Sequence, residues 1–345
     1  MPWHYRQVRI RKKAREIGYG MKRLTIVTTT YISGKYLPGY FEGMLRLNHL
    51  EQLQVILVQN QPDKYERQIA DEYQRHNPGL LHVIQLDHRE TIGASTNRGF
   101  ALADTPYIAY QDVDDVRVPD SFERQMATLD SHPEVDFTYG DFIRVNAQGV
   151  KEGWYASRPE FDHSSFTRYC FAGPTHLFRI GLLEKVGGWD EQFLSGGDFD
   201  FQVRAALNCE FKKTPGLLLY YTKYQDSGSA SSSMLEPIER TVIELRYGAF
   251  DIIDYRYLKY AGNYRINEML FNGDWHPLNN YVPNYTELIK EREHLRAVGV
   301  RNFRIAQIKR LPASVKQAIK SSLRFLLVKL GLYDRLIPYW RQKRK

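Results

Sequence analysis

The 345-residue chain lacks most of the features that define secreted, membrane-spanning or zinc-finger proteins. Its two cysteines, Cys170 and Cys209, are too few for a disulfide framework or a cysteine-rich zinc site. No apolar run reaches the ~18 residues of a confident membrane span, and no signal-peptide pattern opens the chain. These absences favour a globular protein of a reducing cytoplasm.

Signatures of several binding classes are also missing. No zinc, helix-turn-helix or aromatic strand motif is present, so a nucleic-acid partner is not expected. The segment after the first predicted strand, Tyr31–Lys35, has one glycine and one lysine. It is too thin a version of the glycine-rich, basic phosphate-binding loop that a nucleotidylyltransferase requires.

Charge is more segregated along the chain than the net value of +8 indicates. Residues 1–23 carry +7 and residues 301–345 carry +12, which leaves −11 for residues 24–300. Basic ends attract anionic lipid surfaces, whereas an acidic body is a poor groove for nucleic acid. We therefore expect the ends and the body to contact different partners.

The first third of the chain alternates β-branched runs with helical periodicity. Strands are predicted at Leu24–Thr30, Leu53–Val58, Leu81–Leu86 and Tyr107–Tyr110, with helices at Tyr36–His49, Tyr65–Arg75 and Ala94–Ala103. This alternation predicts an α/β fold with a Rossmann-like parallel sheet and helices on both faces. Such sheets bind ligands outside the carboxyl ends of their strands, where Thr29, Thr30, Gln59, Asn60 and Asp112 fall.

The pattern changes beyond about Pro133. Further strands are predicted at Val135–Tyr139, Asp141–Val145, His176–Ile180 and Leu217–Tyr221, and helix is predicted beyond Glu236. We expect this half to form the other wall of the site.

Asp112, Asp114 and Asp115 directly follow the strand Tyr107–Tyr110. Three carboxylates at a strand end repel one another unless a cation joins them. Mg²⁺ and Mn²⁺ take oxygen ligands, usually one or two carboxylates plus substrate phosphates, so the loop suits a nucleotide diphosphate. An EF-hand is excluded because its sixth position must be glycine and is Arg117 here. The remaining alternative is a solvated acidic turn that caps a helix starting near Pro119.

Four motifs occur in an order that is typical of one enzyme family. They are Val27–Tyr31, Asp112–Asp115, Leu183–Asp190 and Gly197–Arg204. Over residues 22–232 they resemble the first-strand segment, the metal motif, the stretch before the catalytic acid and the catalytic segment of family 2 glycosyltransferases of the GT-A fold. Members of this family move a sugar from a nucleotide diphosphate onto an acceptor.

The resemblance implies roles for individual residues. Asp198 is the expected base that takes the acceptor proton, and one base with direct attack implies inversion at the anomeric carbon. Asp112 and Asp114 are the expected ligands of Mn²⁺ or Mg²⁺. The other expected roles are nucleotide-sugar binding by Thr29, Thr30, Tyr31, Gln59, Asn60, Asn97 and Asp112, and acceptor stacking by Trp189.

Several of these residues have a structural alternative. Thr30 and Tyr31 can be strand-end packing, Asn97 a solvated helix start, and Trp189 a core residue. Asp198 can be the N-cap of a helix, since Gly196-Gly197 precedes it.

The chain also departs from the family pattern. Gln59-Asn60 replaces the usual Asp at the second strand end, Gly197 replaces a Glu before the base, and Gln225 replaces a late His. These departures motivate an alternative function, a non-catalytic nucleotide-sugar or glycan-binding module with the same fold.

Three regions are predicted: a basic N-terminal arm over 1–21, a GT-A domain over 22–235 and a helical C-terminal region over 236–345. Within the last, Ala313–Leu332 places apolar and basic residues on separate helical stripes. This pattern fits a helix lying on an anionic membrane, and the alternative is a helix packed on the enzyme body. The expected enzyme is therefore cytoplasmic, peripheral on the inner membrane face, and acts on a glycan or lipid-linked acceptor in cell-surface polysaccharide synthesis.

Overall fold

The computed structural model describes residues 22–146, 151–222, 234–249, 251–291, 293 and 313–330. The predicted basic arm and Gln225 lie outside these ranges. Residues up to Glu291 form one compact unit, and those from Arg292 onward belong to a second unit.

The first unit contains eleven strands and eight helices among the elements described. The strands are β1 (Leu24–Tyr31), β2 (Leu53–Asn60), β3 (Leu81–Leu86), β4 (Tyr107–Tyr110), β5 (Val116–Arg117), β6 (Val135–Val145), β7 (Lys151–Ala156), β8 (Leu177–Arg179), β9 (Glu210–Thr222), β10 (Glu268–Phe271) and β11 (Asp274–Pro277). The helices are α1 (Leu37–Leu45), α2 (Lys64–His76), α3 (Ile92–Leu102), α4 (Ser121–Ser131), α5 (His163–Phe166), α6 (Leu182–Val186), α7 (Gly197–Ala206) and α8 (Leu235–Arg246).

Nine strands form one mixed sheet in the order β3-β2-β1-β4-β8-β6-β9-β5, with β7 added on β6. The four strands β3, β2, β1 and β4 are parallel, which confirms the prediction from strand–helix alternation. In the register of β1, Tyr31 lies beside Asn60 and Val27 beside Tyr110. The carboxyl ends of β1, β2 and β4 therefore meet at one edge of the sheet.

Helices cover both faces of this parallel part because side chains of a strand alternate between faces. Leu24 and Ile26 of β1 belong to a core that includes Phe41 of α1, whereas Val27 belongs to a second core with Phe100 of α3. Helix α3 approaches β1 closely at Gly99, where an added Cβ would lie 2.4 Å from a methyl of Val27. Only glycine fits there.

The second half of the sheet differs from its predicted boundaries. One continuous strand, β6, replaces the two predicted strands, and β9 begins at Glu210, well before the predicted start at Leu217. A register shift between Gly140 and Asp141 leaves Pro215-Gly216 as an irregularity in β9. The first half of β9 is charged and contains this Pro-Gly, so it lacks the alternation of apolar residues by which a strand is predicted.

Beyond Glu236 the described chain is helical at α8, over residues 285–291 and over Ala313–Lys329, as predicted, but it is not helical throughout. A hairpin, β10–β11, follows α8. Its turn residues Asn272 and Gly273 have φ of 52° and 80°, the left-handed conformation of a tight hairpin turn for which Asn-Gly is the strongest signal. Helix α8 and the hairpin fall in the same compact unit as the sheet, and the domain boundary after residue 235 stays a prediction.

Helix α9 (Ala313–Lys329) belongs to the second unit. One stripe of this helix is apolar and exposed, and consists of Val315, Ile319, Leu323 and Leu326. No helix within the described ranges is long and apolar enough to cross a membrane.

Candidate active site

A cleft of about 730 Å³ opens at the edge where β1, β2 and β4 end. Its walls come from residues 29–36, 89–92 and the acidic loop after β4, with Asn60 at its floor and Leu194 on the opposite side. This is the position at which a parallel α/β sheet binds ligands. The cleft is within the range that holds a nucleotide-sized molecule.

The end of β1 presents Thr29, Thr30 and Tyr31 to the cleft. Thr30 is buried, and the Oγ1 of Thr29 lies 3.1 Å from the hydroxyl of Tyr110. Tyr31 is 38 % exposed, and the guanidinium of Arg89 lies 4.1 Å from the centre of its ring. The pair offers a flat aromatic and cationic surface on which a base can stack.

Asp112 and Asp114 line the same cleft. The hydroxyl of Tyr110 donates to Asp112 Oδ1 at 2.9 Å and fixes that carboxylate. Burial raises the pKa of Asp114 to about 7, helped by the negative charge of Asp112 and opposed by the positive charge of Lys35. Burial likewise raises the pKa of Asp112. Within the part of the chain that the structure describes, burial and the charge of Asp112 outweigh the opposing charge of Lys35 at Asp114.

Asp115 has a different position from its two neighbours. It is buried, and its Oδ1 accepts the backbone N–H of Thr222 at 3.0 Å, which ties the end of β9 to the acidic loop. The alternative interpretation of the loop as a helix cap does not hold, because β5 intervenes and α4 begins only at Ser121 with Asp120 as its N-cap.

Asp198 lies in the first turn of α7 and is not its N-cap, which is Gly196. Its Oδ1 accepts the N–H of Phe199 at 2.7 Å. Burial raises the pKa of Asp198 to about 6; the Phe199 N–H opposes this shift, and the charges of Asp112 and Glu236 add to it. Asp198 thus lies within electrostatic range of the acidic loop, and a carboxylate with this pKa is suited to accept a proton near neutral pH.

The predicted role of Gln59 in nucleotide binding is not supported by its position. Its side chain is buried, donates to the carbonyl of Glu66 and accepts from Gln85, each at 3.3 Å. Of the pair Gln59-Asn60, only Asn60 is among the residues that line the cleft. There its Oδ1 accepts the N–H of Glu90 at 2.9 Å, which holds the neighbouring loop.

Asn97 and Trp189 are brought together as a structural pair, which corrects both predicted roles. The amide of Asn97 donates to the carbonyl of Trp189 at 2.8 Å and to Glu191 at 2.9 Å, and its Oδ1 accepts the N–H of Trp189. Its bonding capacity is used within the protein. The indole of Trp189 is 2 % exposed and packs on Tyr110 with ring centres 4.7 Å apart, so it offers no face to an acceptor sugar.

Three charged residues of the cleft, Lys35, Arg89 and Glu90, were not predicted as site residues. Glu90 forms an ion pair with Arg98, which is why its pKa stays low despite partial burial. All three lie in loops just after strand ends. That position was the available signal, since side chains following parallel strands gather at one sheet edge.

The fit of a metal ion rests on Asp112 and Asp114. Among the described residues, no group of three or more His, Cys, Asp or Glu side chains is placed to hold a metal ion. Mg²⁺ and Mn²⁺ in nucleotide sites need only one or two carboxylates, because substrate phosphates and waters complete the shell. The donor set therefore fits a metal that arrives with a nucleotide, and Gln225 lies outside the described residues.

The sheet and the cleft define an α/β protein with a cleft at the carboxyl ends of its parallel strands. Residues 25–184 match the profile of glycosyl transferase family 2. An uncharacterized glycosyltransferase of Methanocaldococcus jannaschii is 26 % identical over 194 residues, which are 54 % of this chain and 65 % of the relative. The chain thus spans just under two thirds of that relative's length.

Solved structures agree on the GT-A fold. S. aureus TarS (residues 1–349) in complex with UDP-GlcNAc has a TM-score of 0.55 at 20 % identity, covering 69 % of each chain. The mannosyltransferase PcManGT of Pyrobaculum calidifontis, in complex with GDP-Man and Mn²⁺, has a TM-score of 0.50 at 13 % identity, covering 97 % of this chain and 92 % of that one. Likeness at these identities shows the fold.

Proposed function

We propose that the protein is a metal-dependent, inverting glycosyltransferase that moves a sugar from a nucleotide diphosphate to a hydroxyl of a glycan or lipid-linked acceptor. One observation carries this proposal. The acidic loop and Asp198 lie within electrostatic range of each other beside the cleft at the carboxyl ends of β1 and β4, and the pKa values of Asp112, Asp114 and Asp198 are all raised. Unneutralised buried carboxylates cost stability, and active sites are where such a cost is retained.

The donor occupies the cleft. Its base stacks on Tyr31 beside Arg89, with Thr29 and Thr30 at the strand end, and its diphosphate faces Asp112 and Asp114. These two carboxylates are the ligands of Mn²⁺ or Mg²⁺, which when bound stabilises the negative charge of the leaving diphosphate as a Lewis acid. TarS with UDP-GlcNAc and PcManGT with GDP-Man and Mn²⁺ support a nucleotide sugar as the donor class.

Asp198 acts on the acceptor. Its carboxylate accepts the proton of the attacking hydroxyl, and a pKa of about 6 leaves it largely ionised at neutral pH while keeping it basic enough for the transfer. A single base with direct attack on the anomeric carbon inverts its configuration.

The basic end of the chain supports a membrane-surface acceptor. The exposed apolar stripe of α9 lies in a segment, residues 301–345, that carries a net charge of +12. An apolar stripe beside basic residues binds the surface of an anionic bilayer, where lipid-linked acceptors of cell-surface polysaccharide synthesis are found.

The decisive experiment is a screen of nucleotide sugars, including UDP-GlcNAc and GDP-mannose, for release of nucleoside diphosphate with Mn²⁺ or Mg²⁺. Transfer is expected to require the metal, and Asp114→Asn to abolish it and to weaken Mn²⁺-dependent nucleotide binding in calorimetry. Nucleotide-sugar binding with no release under any condition would favour the non-catalytic binding module instead.

Membrane attachment is tested separately by truncating the chain after Arg310. The truncated protein keeps the whole first unit and is expected to release nucleotide at the rate of the full chain. It should no longer sediment with vesicles containing anionic phospholipid, and binding by the full chain should weaken with salt. Continued sedimentation of the truncated protein would place the anchor elsewhere.

A further inference from the structure

Helix α8 lies beyond the family-matched residues 25–184, yet it contacts the loop that leads to Asp198. The side chain of Glu239 on this helix is 0 % exposed. Its carboxylate accepts the backbone N–H groups of Leu194 at 2.9 Å, Ser195 at 2.8 Å and Gly196 at 2.8 Å. The hydroxyl of Tyr264 donates to it at 3.2 Å. A buried carboxylate with these donors is held in one place, and so is the loop it binds.

The contact lies directly before α7. Gly196 is the N-cap of this helix and makes no side-chain cap bond. Glu239 accepts the N–H of Gly196 and of the two residues before it, which places a carboxylate near the helix end where a negative charge is favoured. The packing leaves little freedom, since a Cβ added at Gly196 would lie 2.8 Å from Ile243 of α8.

Helix α8 also holds the chain on the other side of Asp198. Arg246, about two turns beyond Glu239, contacts Asp200 at 2.7 Å, and the hydroxyl of Tyr247 donates to the same carboxylate at 2.8 Å. Asp198 lies between the two anchored positions. Its carboxylate is therefore placed by a helix that makes no contact with the donor cleft.

The anchored loop has a second connection. Leu194, whose N–H binds Glu239, lines the donor cleft, while Asp198 lies four residues further along the chain. The hydrogen bonds of Glu239 thus link one wall of the donor cleft to the base.

We propose that Glu239 is a positioning residue for the transfer reaction: through the amides of Leu194, Ser195 and Gly196 it sets the place of the Asp198 carboxylate relative to the acceptor hydroxyl. The inference rests on the proposed function, because it assigns Asp198 the role of base. Glu239 lies outside the four sequence motifs and does not line the cleft, so neither feature identifies it as part of the site.

The test is Glu239→Gln in the full-length protein, with the nucleotide sugar found by the screen as substrate. The amide keeps the size of the side chain, but its NH₂ group cannot accept backbone N–H bonds. Turnover is expected to fall about tenfold or more, with the KM for the donor changed less than about threefold. Glu244→Gln is the matched control, since Glu244 is a buried glutamate of the same helix that pairs with Arg240 and not with the loop.

A double-mutant cycle separates positioning from a general structural effect. If Glu239 acts through the base, Glu239→Gln should cost less than about twofold in an Asp198→Asn background. An equal loss in both backgrounds would overturn the inference. If Glu239→Gln does not fold, Tyr264→Phe, which removes one donor to Glu239, is put through the same cycle under the same criterion.

The outcomes also separate this inference from the proposed function. If Asp198→Asn lowers turnover and Glu239→Gln does not, the glycosyltransferase assignment stands and the positioning role is wrong. If the wild-type protein turns over no nucleotide sugar, the proposed function fails and the inference fails with it.

Discussion

Two acidic clusters in this protein, one half-buried and one fully buried, have carboxylates whose pKa values are shifted in opposite directions. The acidic loop, Asp112, Asp114 and Asp115, has raised pKa values because burial and mutual repulsion disfavour its charges. The ion cluster, Asp190, Asp200, Arg204 and Arg246, is 0 % exposed throughout. There burial alone would raise the pKa of Asp200, but Arg204 and Arg246 hold it below its usual value.

The difference separates structural from functional carboxylates. In the ion cluster, Arg204 contacts Asp200 at 2.9 Å, and Arg246 contacts Asp200 at 2.7 Å and Asp190 at 2.8 Å. Every charge has a partner, so the cluster fixes α7, α8 and the loop at 190 to one another. Asp112 and Asp114 of the acidic loop line an open cleft instead, where a bound metal would add positive charge.

The largest expected effect concerns the ion cluster. Arg246→Met leaves Asp190 and Asp200 buried with fewer partners, and breaking a buried pair on one side costs about 3–5 kcal/mol of unfolding free energy. Urea unfolding measures the loss. Arg256→Met is the control, because Arg256 pairs with Asp254 at the surface, where removal should cost under about 1 kcal/mol. If both variants lose the same small amount of unfolding free energy, the ion cluster stabilises the fold no more than a surface pair does, and the distinction between the two clusters fails.

Asp198→Asn tests whether Asp198 is the base of the transfer reaction. Turnover should fall at least about a hundredfold while donor affinity and the unfolding free energy stay close to the wild-type values, because the base acts only in the transition state. Steady-state kinetics and nucleotide calorimetry give both quantities. A parallel loss of donor binding would show that Asp198 holds the donor and is not the base.

The pH dependence of the wild-type rate follows from the same group. Asp198 must be ionised to accept a proton, and its pKa is raised to about 6. With donor and metal saturating, turnover should be level above pH ~7 and fall about tenfold per pH unit well below 6. A rate that stays constant down to pH ~4.5 would contradict this assignment.

The smallest expected effect is a gain in stability from Asp114→Asn. The pKa of Asp114 is raised to about 7 in the folded protein, above about 3.9 in the unfolded chain, so the folded state binds protons more tightly and loses stability as pH rises between these values. Without metal, the variant should exceed the wild type by about 1 kcal/mol at pH ~8, and the difference should vanish near pH ~4. Urea unfolding in the presence of a chelator measures this difference in stability. Asp130→Asn is the control, because Asp130 is exposed and paired with Arg23. An Asp114→Asn variant that is less stable than the wild type at pH ~8 would contradict the prediction.

Local patterns predicted the parallel half of the fold because they are properties of neighbouring residues. The apolar runs that became β1, β2 and β4 are mostly buried, and the polar residues at their ends fall at the same sheet edge. Asp112, Asp114 and Tyr31 were predicted on this basis and line the cleft. Strand β9 was predicted too short because its charged first half is held by pairing with β6, which is a distant segment.

The sequence by itself determined the α/β class, the order of the four motifs, the clustering of carboxylates after β4 and the segregation of positive charge at the chain ends, since each depends on residue type and spacing alone. Only the tertiary structure decided which side chains face the cleft. Asn60 faces it and Gln59 does not, Trp189 is enclosed by Tyr110 and Asn97, and Arg89 reaches Tyr31. Glu239 and Arg246 reach the segment of Asp198 from more than forty residues away, and the energy of such contacts depends on geometry that no local pattern encodes.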